Sequence, residues 1–481
     1  MKISRLMIFP IILMFVNILV FSSCGNSRKC SSERSLPGRT LIDCGVTGSS
    51  FVISNDVDKD GNKDLVVGTY GDFDEGFIGE VIIYYNKGTD IEDISNWRKE
   101  KVFGTEENIC IGNRVAVHDV DNDGDNDIIV PSGFFLCQDV LFGSQGKWGI
   151  SWYEQDGGNW IAHDISMKAI DDSNPLFYKS LSMSDVDGDN ITDIVTVGAL
   201  VTGFDTAYDF TENQDNSGRI FGYSNVLVYK GDNSPDRFVK TPIVIGIGGG
   251  VLTELFDVDN DNDLDIISPQ FFVWDHNDTD VNASFVWFEN PGTQDALTSL
   301  WSKYPINDND YGPSIQISAV PNLINGDNKT YAIGTNHTDS SKCVGVAHEA
   351  VILFEIPAGD KTTHWINERV LSEDIESPGP SAICGEHGAP GVFHWGDVDG
   401  DGDIDIVVSG DGDKRIFVLE QNSTGGFITK VLDANEDVGQ AAIVVEDFDN
   451  DGVDEIVVSS YDGKTVAIYR YNDVPVLEVS K

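Results

Sequence analysis

From about residue 38 onward, the apolar positions fall into short runs of four to eight residues, separated by clusters of Gly, Asn and Asp. Runs such as VIIYYN (81–86), ISWYEQ (150–155), FVWFEN (285–290) and IFVLEQ (416–421) are rich in β-branched and aromatic residues. Further short runs follow them, of the type WIAHDI (160–165), FVKTPI (238–243) and FITKVL (427–432). Short β-rich runs bounded by turn formers predict strands joined by hairpins, and no helical period competes with that reading.

The strands belong to a repeat. Asp-x-Asp-x-Asp-(Gly/Asn)-x-x-(Asp/Glu), followed by a β-branched run, begins at Asp56, Asp119, Asp185, Asp257, Asp397 and Asp447. The intervals are 63, 66, 72, 140 and 50 residues, and the interval of 140 holds a degenerate copy. This copy, VPNLINGDNKTYAIGT (320–335), ends in Tyr331-Ala332-Ile333-Gly334-Thr335, which parallels Leu65-Val66-Val67-Gly68-Thr69. Seven repeats of four strands predict an all-β, seven-bladed β-propeller over residues 38–481. The segment Arg39 to Asp43 resembles the fourth strands and precedes the next inner strand by the usual interval. It is expected to pair into the C-terminal blade and close the ring, removing exposed sheet edges. Residues 475–481 are the alternative source of that strand.

The repeated loop has the chemistry of a calcium site. Calcium takes six to eight oxygens from carboxylates and backbone carbonyls. Alternate residues of a tight loop point inward, so positions 1, 3, 5 and 9 present four carboxylates, and position 7 offers its carbonyl. The expected ligands are Asp56, Asp58, Asp60 and Asp64; Asp119, Asp121, Asp123 and Asp127; Asp185, Asp187, Asp189 and Asp193. They continue with Asp257, Asp259, Asp261 and Asp265; Asp397, Asp399, Asp401 and Asp405; and Asp447, Asp449, Asp451 and Glu455. Gly61, Gly124, Gly402 and Gly452 at position 6, with Asn190 and Asn262 in the other two loops, suit a positive φ. Position 12 is a strand valine such as Val130, Val408 or Val458 rather than the bidentate Glu of an EF-hand, which excludes that motif. About six structural calcium ions follow. The fifth repeat carries Asn322, Ile324 and Gly326 where aspartates would stand, and no metal is expected there.

Composition narrows the partners. The 481 residues carry 31 Lys and Arg against 80 Asp and Glu, a formal charge of −49. That argues against nucleic acid or an anionic membrane surface, since both need a basic footprint. The six loops supply 28 of the acidic residues. At the N-terminus, Lys2 and Arg5 precede an apolar run from Leu6 to Phe21 that ends in Ser22-Ser23-Cys24. Residues 1–24 read as a secretory signal, and the small pair before Cys24 resembles a bacterial lipobox, with Phe21 where leucine is usual. The expectation is export to the cell surface or outer membrane as a lipoprotein, touching the membrane only through a lipid at Cys24. An ordinary signal peptide, giving a secreted or periplasmic protein, is the alternative. Residues 25–37 are small and polar, as a flexible tether would be.

The loops and strands resemble the FG-GAP and VCBS repeats of extracellular propellers, among them the integrin α head. Phe103-Gly104, then Ile111-Gly112-Asn113-Arg114-Val115-Ala116 before Asp119, and Gly388-Ala389-Pro390 before Asp397, carry the pattern. The resemblance covers residues 39 to about 472. It implies calcium between the first and second strands of a blade, but no single activity, since its members include adhesion receptors, carbohydrate-binding modules, polysaccharide lyases and sugar dehydratases. In such a blade the calcium loops share one face, and the remaining connections share the other.

Those second-face connections are long here, at 134–148, 199–223, 272–284, 335–349 and 371–390, and long loops on a rigid scaffold are where binding residues sit. They and their surroundings hold His276, His337, His348, His387, Tyr178, Lys179, Tyr208, Arg219, Tyr223 and Tyr311. If the protein eliminates across an acidic sugar, Arg219 would neutralise the carboxylate, and His337, His387 or Tyr223 would take the proton. Scattered polar loop residues are the plainer reading. His118 and His394 lie on or beside innermost strands, where a packed or water-bonded histidine is expected. Apart from Cys24, six cysteines allow fifteen pairings. The inferred blade arrangement favours Cys110–Cys137, Cys343–Cys384 and Cys30–Cys44, against free buried thiols. Gly246-Ile247-Gly248-Gly249-Gly250 does not complete a dinucleotide fingerprint. Two functions emerge. The leading one is a surface module binding a polysaccharide or a protein partner. The alternative is a carbohydrate-active enzyme, a polysaccharide lyase or sugar dehydratase, using the face opposite the calcium loops.

Overall fold

The computed structural model describes residues 36–478, apart from 72–77, 89, 134–146, 168–175, 202–219, 274–282, 308–310, 312–313, 337–350, 366–367, 372–388, 412–413, 435–437 and 439–440. The proposed signal and almost all of the tether therefore lie outside the described residues.

The chain forms a seven-bladed propeller of antiparallel sheets. In the first blade Ser49–Asn55, Asp64–Thr69, Val81–Asn86 and Trp97–Phe103 pair in sequence order. Innermost strands follow at Ala116–His118, Phe177–Ser184, Glu254–Phe256, Ser314–Pro321, Ala389–Gly396 and Ala441–Glu446. Each is followed by a second strand, at Asp127–Ser132, Asp193–Val201, Asp265–Pro269, Thr330–Asn336, Asp405–Asp411 and Glu455–Ser460. The middle strands read as unbroken apolar runs because both of their faces are covered by neighbouring blades. Asp64–Thr69 and Val81–Asn86 are buried at every position.

Among the described residues the buried apolar side chains form seven clusters, each spanning two adjacent blades. One joins Val67, Ile82 and Tyr84 of the first blade to Val444, Val457 and Ile468 of the last. At about 1.5–3 kcal/mol for each large buried side chain, these interfaces are the main source of stability.

Closure takes the expected form. Arg39–Cys44 pairs antiparallel with Thr465–Tyr469, as the outer strand of the seventh blade. The Tyr469 hydroxyl donates to Asp433 Oδ2 at 2.8 Å, and the Arg39 guanidinium lies 5.7 Å from the Tyr469 ring centre. Leu477–Glu478 instead adds a fifth strand to the sixth blade beside Phe427–Asp433, so the C-terminal alternative for closure does not hold.

Two strand expectations need correction. The fourth strand of the third blade is Ile243–Ile247, not 238–243, and Phe238 forms only an isolated bridge with Gly231. The glycine run after it is the turn into the next blade. Gly248 and Gly249 adopt φ of 107° and 95°, and a Cβ on Gly250 would lie 2.3 Å from the Pro269 carbonyl oxygen. The connection at 199–223 is also not all loop. Asp193–Val201 and Ile220–Tyr229 extend their hairpin through Val201 opposite Gly222, and Phe272–Val273 adds a short parallel strand.

Candidate metal centres

Every acidic loop connects the first strand of a blade to the second, and the six share one wiring plan. Position 2 is an apolar anchor. Val57, Val120, Val186, Val258, Val398 and Phe448 are at most 8% exposed. Position 9 is buried beneath the loop and accepts two backbone N–H groups. Asp405 takes Val398 N–H at 3.2 Å on Oδ2 and Gln421 N–H at 2.8 Å on Oδ1. Asp64, Asp127, Asp193 and Asp265 repeat the arrangement, with their second donors on Asn86, Gln155, Gly231 and Asn290. Glu455 accepts from Phe448 N–H at 3.0 Å.

Above this buried carboxylate, the position 1 aspartate gathers the turn. Asp119, Asp185, Asp257, Asp397 and Asp447 accept the N–H groups of positions 5 and 6 on separate oxygens. The backbone reverses twice to allow this. Position 6 has positive φ, as expected from its Gly and Asn residues. Position 4 does too, at Lys59, Asn122, Gly188, Asn260, Gly400 and Asn450. The sequence reading missed that second reversal and the anchor at position 2. Five Asn or Gly residues among the six at position 4, all but Lys59, and an apolar residue after every first Asp, were the available signals.

Three of the carboxylates converge closely in five of the loops. In the Asp56, Asp119, Asp185, Asp257 and Asp397 loops, one oxygen from each of positions 1, 3 and 9 lies within 4.8 Å of the others. Position 5 stands outside these triads. Its Oδ1 accepts the N–H of position 7 in every loop, as between Asp60 and Asn62 at 2.9 Å. That bond takes up Oδ1 and leaves Oδ2 uncommitted to the backbone, as where Asp189 Oδ2 meets Lys230.

Two observations match this arrangement to a divalent cation. Asp56 Oδ1, Asp58 Oδ1 and Asp263 Oδ1 are buried with no hydrogen-bond partner, and burying an oxygen without a donor is costly. Burial also pushes the position 9 carboxyls upward, to about 6 for Asp64, Asp127 and Asp193, about 7 for Asp265 and Asp405, and about 8 for Glu455. Like charges add to this, as Asp399 does at Asp405. A hard cation with oxygen ligands would relieve both.

The second-face candidates are only partly visible. His276, His337, His348, His387, Tyr208 and Arg219 lie outside the described residues, and Tyr223 is placed on its strand opposite Leu200. Tyr178 is buried, with its hydroxyl 2.7 Å from that of Tyr229. Lys179 is buried, and burial lowers its pKa to about 7. Tyr311 is buried and donates to Glu368. These three are therefore built into the blades. His394 accepts Val445 N–H at 3.2 Å on Nδ1, and burial lowers its pKa to about 4, so it is a neutral link between two inner strands. Burial also lowers the pKa of His118.

Residues 397–458, which include the Asp397 and Asp447 loops, match the family model described as FG-GAP-like repeat. No curated protein sequence matches the chain. Among solved structures, two crystals of BBS1N in complex with ARL6DN are similar. The lead-soaked crystal gives a TM-score of 0.44 at 9% identity, covering 91% of this chain and 97% of that one. The mercury-soaked crystal gives 0.45 at 9% identity, covering 92% and 95%.

Proposed function

We propose that this protein is an exported FG-GAP-repeat propeller whose acidic loops bind about six structural calcium ions. In this reading its opposite face presents a binding surface for a polysaccharide or a protein partner. The observation that carries the calcium reading is the recurrence of one carboxylate triad, at the same place in five blades, on a single hydrogen-bonded plan. Asp56, Asp119, Asp185, Asp257, Asp397 and Asp447, with their partners at positions 3 and 9, would hold the ions. Calcium would neutralise each carboxylate group and brace its turn against the blade. Adjacent loops also touch. Asn126 donates to the Asp56 carbonyl at 3.0 Å, and Asp454 Oδ2 accepts Asp397 N–H at 2.8 Å. Bracing one loop therefore steadies its neighbour.

Export and a lipid at Cys24 rest on the N-terminal sequence. The pairings of Cys44 with Cys30 and of Cys110 with Cys137 belong to the same reading, and Cys30 and Cys137 lie outside the described residues. An oxidising compartment suits such bonds. The test of partner class is a glycan array probed with the calcium-loaded protein, run beside an ultraviolet assay on uronic-acid polysaccharides. Binding without absorbance supports the module. Rising absorbance on one polymer would make the protein an eliminating lyase, with His337, His387, Arg219 and Tyr223 as the first positions to mutate. Silence in both sends the search to protein partners.

A further inference from the structure

The six loops are not electrostatically equivalent, and three of them already hold a cation belonging to the protein. Lys230 Nζ reaches Asp187 and also Asp189 at 2.8 Å. Lys87 Nζ lies 2.5 Å from Asp58 and 3.4 Å from Asp60. Arg470 reaches Asp449, lies 3.4 Å from Asp451 and 3.3 Å from Glu455. In each case the basic group, carried at the end of the blade's third strand, sits across positions 3 and 5. Arg470 takes position 9 as well.

The loops at Asp119, Asp257 and Asp397 differ. Among the described residues, no lysine or arginine comes within 4 Å of their carboxylates at positions 3, 5 or 9. Lys59 approaches only position 1 of the second blade, at 3.6 Å from Asp119, and its ammonium donates to the Gly124 carbonyl. The strand ends account for two of the three clamps, Lys230 and Arg470, by register. Gly231, whose N–H binds the position 9 carboxylate, is preceded by Lys230. Gln155, Asn290 and Gln421 do the same work in the other three blades and are preceded by Glu154, Glu289 and Glu420. These glutamates have partners of their own in His163, Tyr304 and Lys430. Position 7 sorts the same way. It is Asp125, Asp263 and Asp403 in the loops without a cation, and Asn62, Ile191 and Val453 in the loops with one. Position 7 thus divides the six loops into the same two sets, while the strand end does so through Lys230 and Arg470 but not in the first blade, where Tyr85 precedes Asn86 and the clamp is Lys87.

We propose that Lys87, Lys230 and Arg470 are tethered counter-ions that divide the calcium sites into two affinity classes. The Asp119, Asp257 and Asp397 loops hold their ions tightly, while the Asp56, Asp185 and Asp447 loops hold theirs weakly. This rests on the calcium reading above and adds to it a rule for which sites empty first. A divalent ion entering a clamped loop must displace an ammonium or guanidinium from the same carboxylates. In an open loop it meets five aspartates and an adjacent glutamate, with no lysine or arginine of the described residues within 4 Å of positions 3, 5 or 9. The clamped loops stay folded when empty because their charge is already partly balanced.

The test is a calcium titration of the metal-stripped full chain by calorimetry, in competition with a chromophoric chelator. The expected isotherm has about three tight ions and three at least about tenfold weaker. Lys230→Gln and Arg470→Gln should each move one ion from the weak class to the tight class. Glu289→Lys should move one from tight to weak. Circular dichroism at millimolar calcium checks each variant's fold, and if one fails, the unmodified chain and the remaining variants decide. Six ions in a single class, or class numbers unmoved by the variants, overturn the division but leave calcium binding intact. No bound calcium at all overturns the calcium reading itself.

Discussion

The fifth and sixth blades build the same turn by different means. In the sixth, the Asp405 carboxylate receives the N–H groups of Val398 and Gln421. In the fifth, Thr330 stands at position 9, and backbone carbonyls close the turn through donors one residue earlier. Asn322 N–H donates to Lys329 O, and Ile356 N–H to Thr330 O, both at 3.0 Å. The apolar anchor survives the exchange, since Leu323 is as fully buried as Val398. So does the link between blades, because Gln421 Nε2 donates to the Leu323 carbonyl at 2.8 Å, just as Asn86 reaches that of Phe448. The propeller therefore does not need acidic loops to turn or to stack. Six sets of carboxylates that repel one another, in a chain of charge −49, answer a different requirement, one that the proposed calcium ions would meet.

The sharpest way to break this comparison is to remove the metal. Stripping the full chain by chelation should lower its melting temperature by at least about 10 °C relative to millimolar calcium, as read by scanning calorimetry. An unchanged transition after verified removal would reduce the six loops to the status of the fifth. The apolar anchors test what the two kinds of loop share. Leu323→Ala should cost about 3 kcal/mol and Val398→Ala about 2 kcal/mol in denaturant unfolding, with or without calcium. Smaller again is the effect of the carboxylate. Asp405→Asn should cost about 2 kcal/mol in calcium, because it turns an amide toward an N–H, while Thr330→Ala should stay within about 0.5 kcal/mol. If the two cost the same, position 9 is dispensable in both blades.

The smallest effect is on pH dependence. The folded, metal-free protein holds its position 9 carboxyls at about 6 to 8, above the value of about 4 expected in the unfolded chain. Folding then takes up protons, so stability present at low pH is lost as pH rises through 6 to 8. The melting temperature in chelator should fall by a few degrees between pH 5 and pH 8, and calcium, which needs ionised ligands, should flatten or reverse that slope. A chelated protein that gains stability over this range would contradict the burial of these groups.

Much of this architecture was legible in the chain. The Asp-rich repeat, its degenerate fifth copy and the fourth-strand likeness of Arg39 to Asp43 give seven blades and their closure. What escaped was encoded in backbone conformation rather than residue class. Lys59 at position 4 gives no hint of its positive φ of 57°. The hairpin reaching Val201 and Gly222 carries glycines and polar residues that read as loop, and it is held by pairing to strands distant in sequence. The strand Ile243–Ile247 was obscured by the glycine turn that follows it. The site was half legible. Spacing picked out the candidate carboxylates, but only the structure shows that those at positions 1, 3 and 9 converge and which loops hold a lysine or arginine of their own.

The strand that closes the ring also sets a schedule for synthesis. Arg39–Cys44 is among the first segments of the propeller to be made, yet its partner Thr465–Tyr469 is among the last. Ser49 and Ser459, whose hydroxyls meet at 2.6 Å at the same seam, are 410 residues apart. At roughly 5–20 residues per second on the ribosome, the first strand would wait on the order of half a minute or more with an unpaired edge. Contacts of such long range also slow folding after release, because the ends of a long loop must meet before any bond rewards them. The seam that closes the finished ring is thus the step at which the nascent chain is most open to pairing with the wrong neighbour.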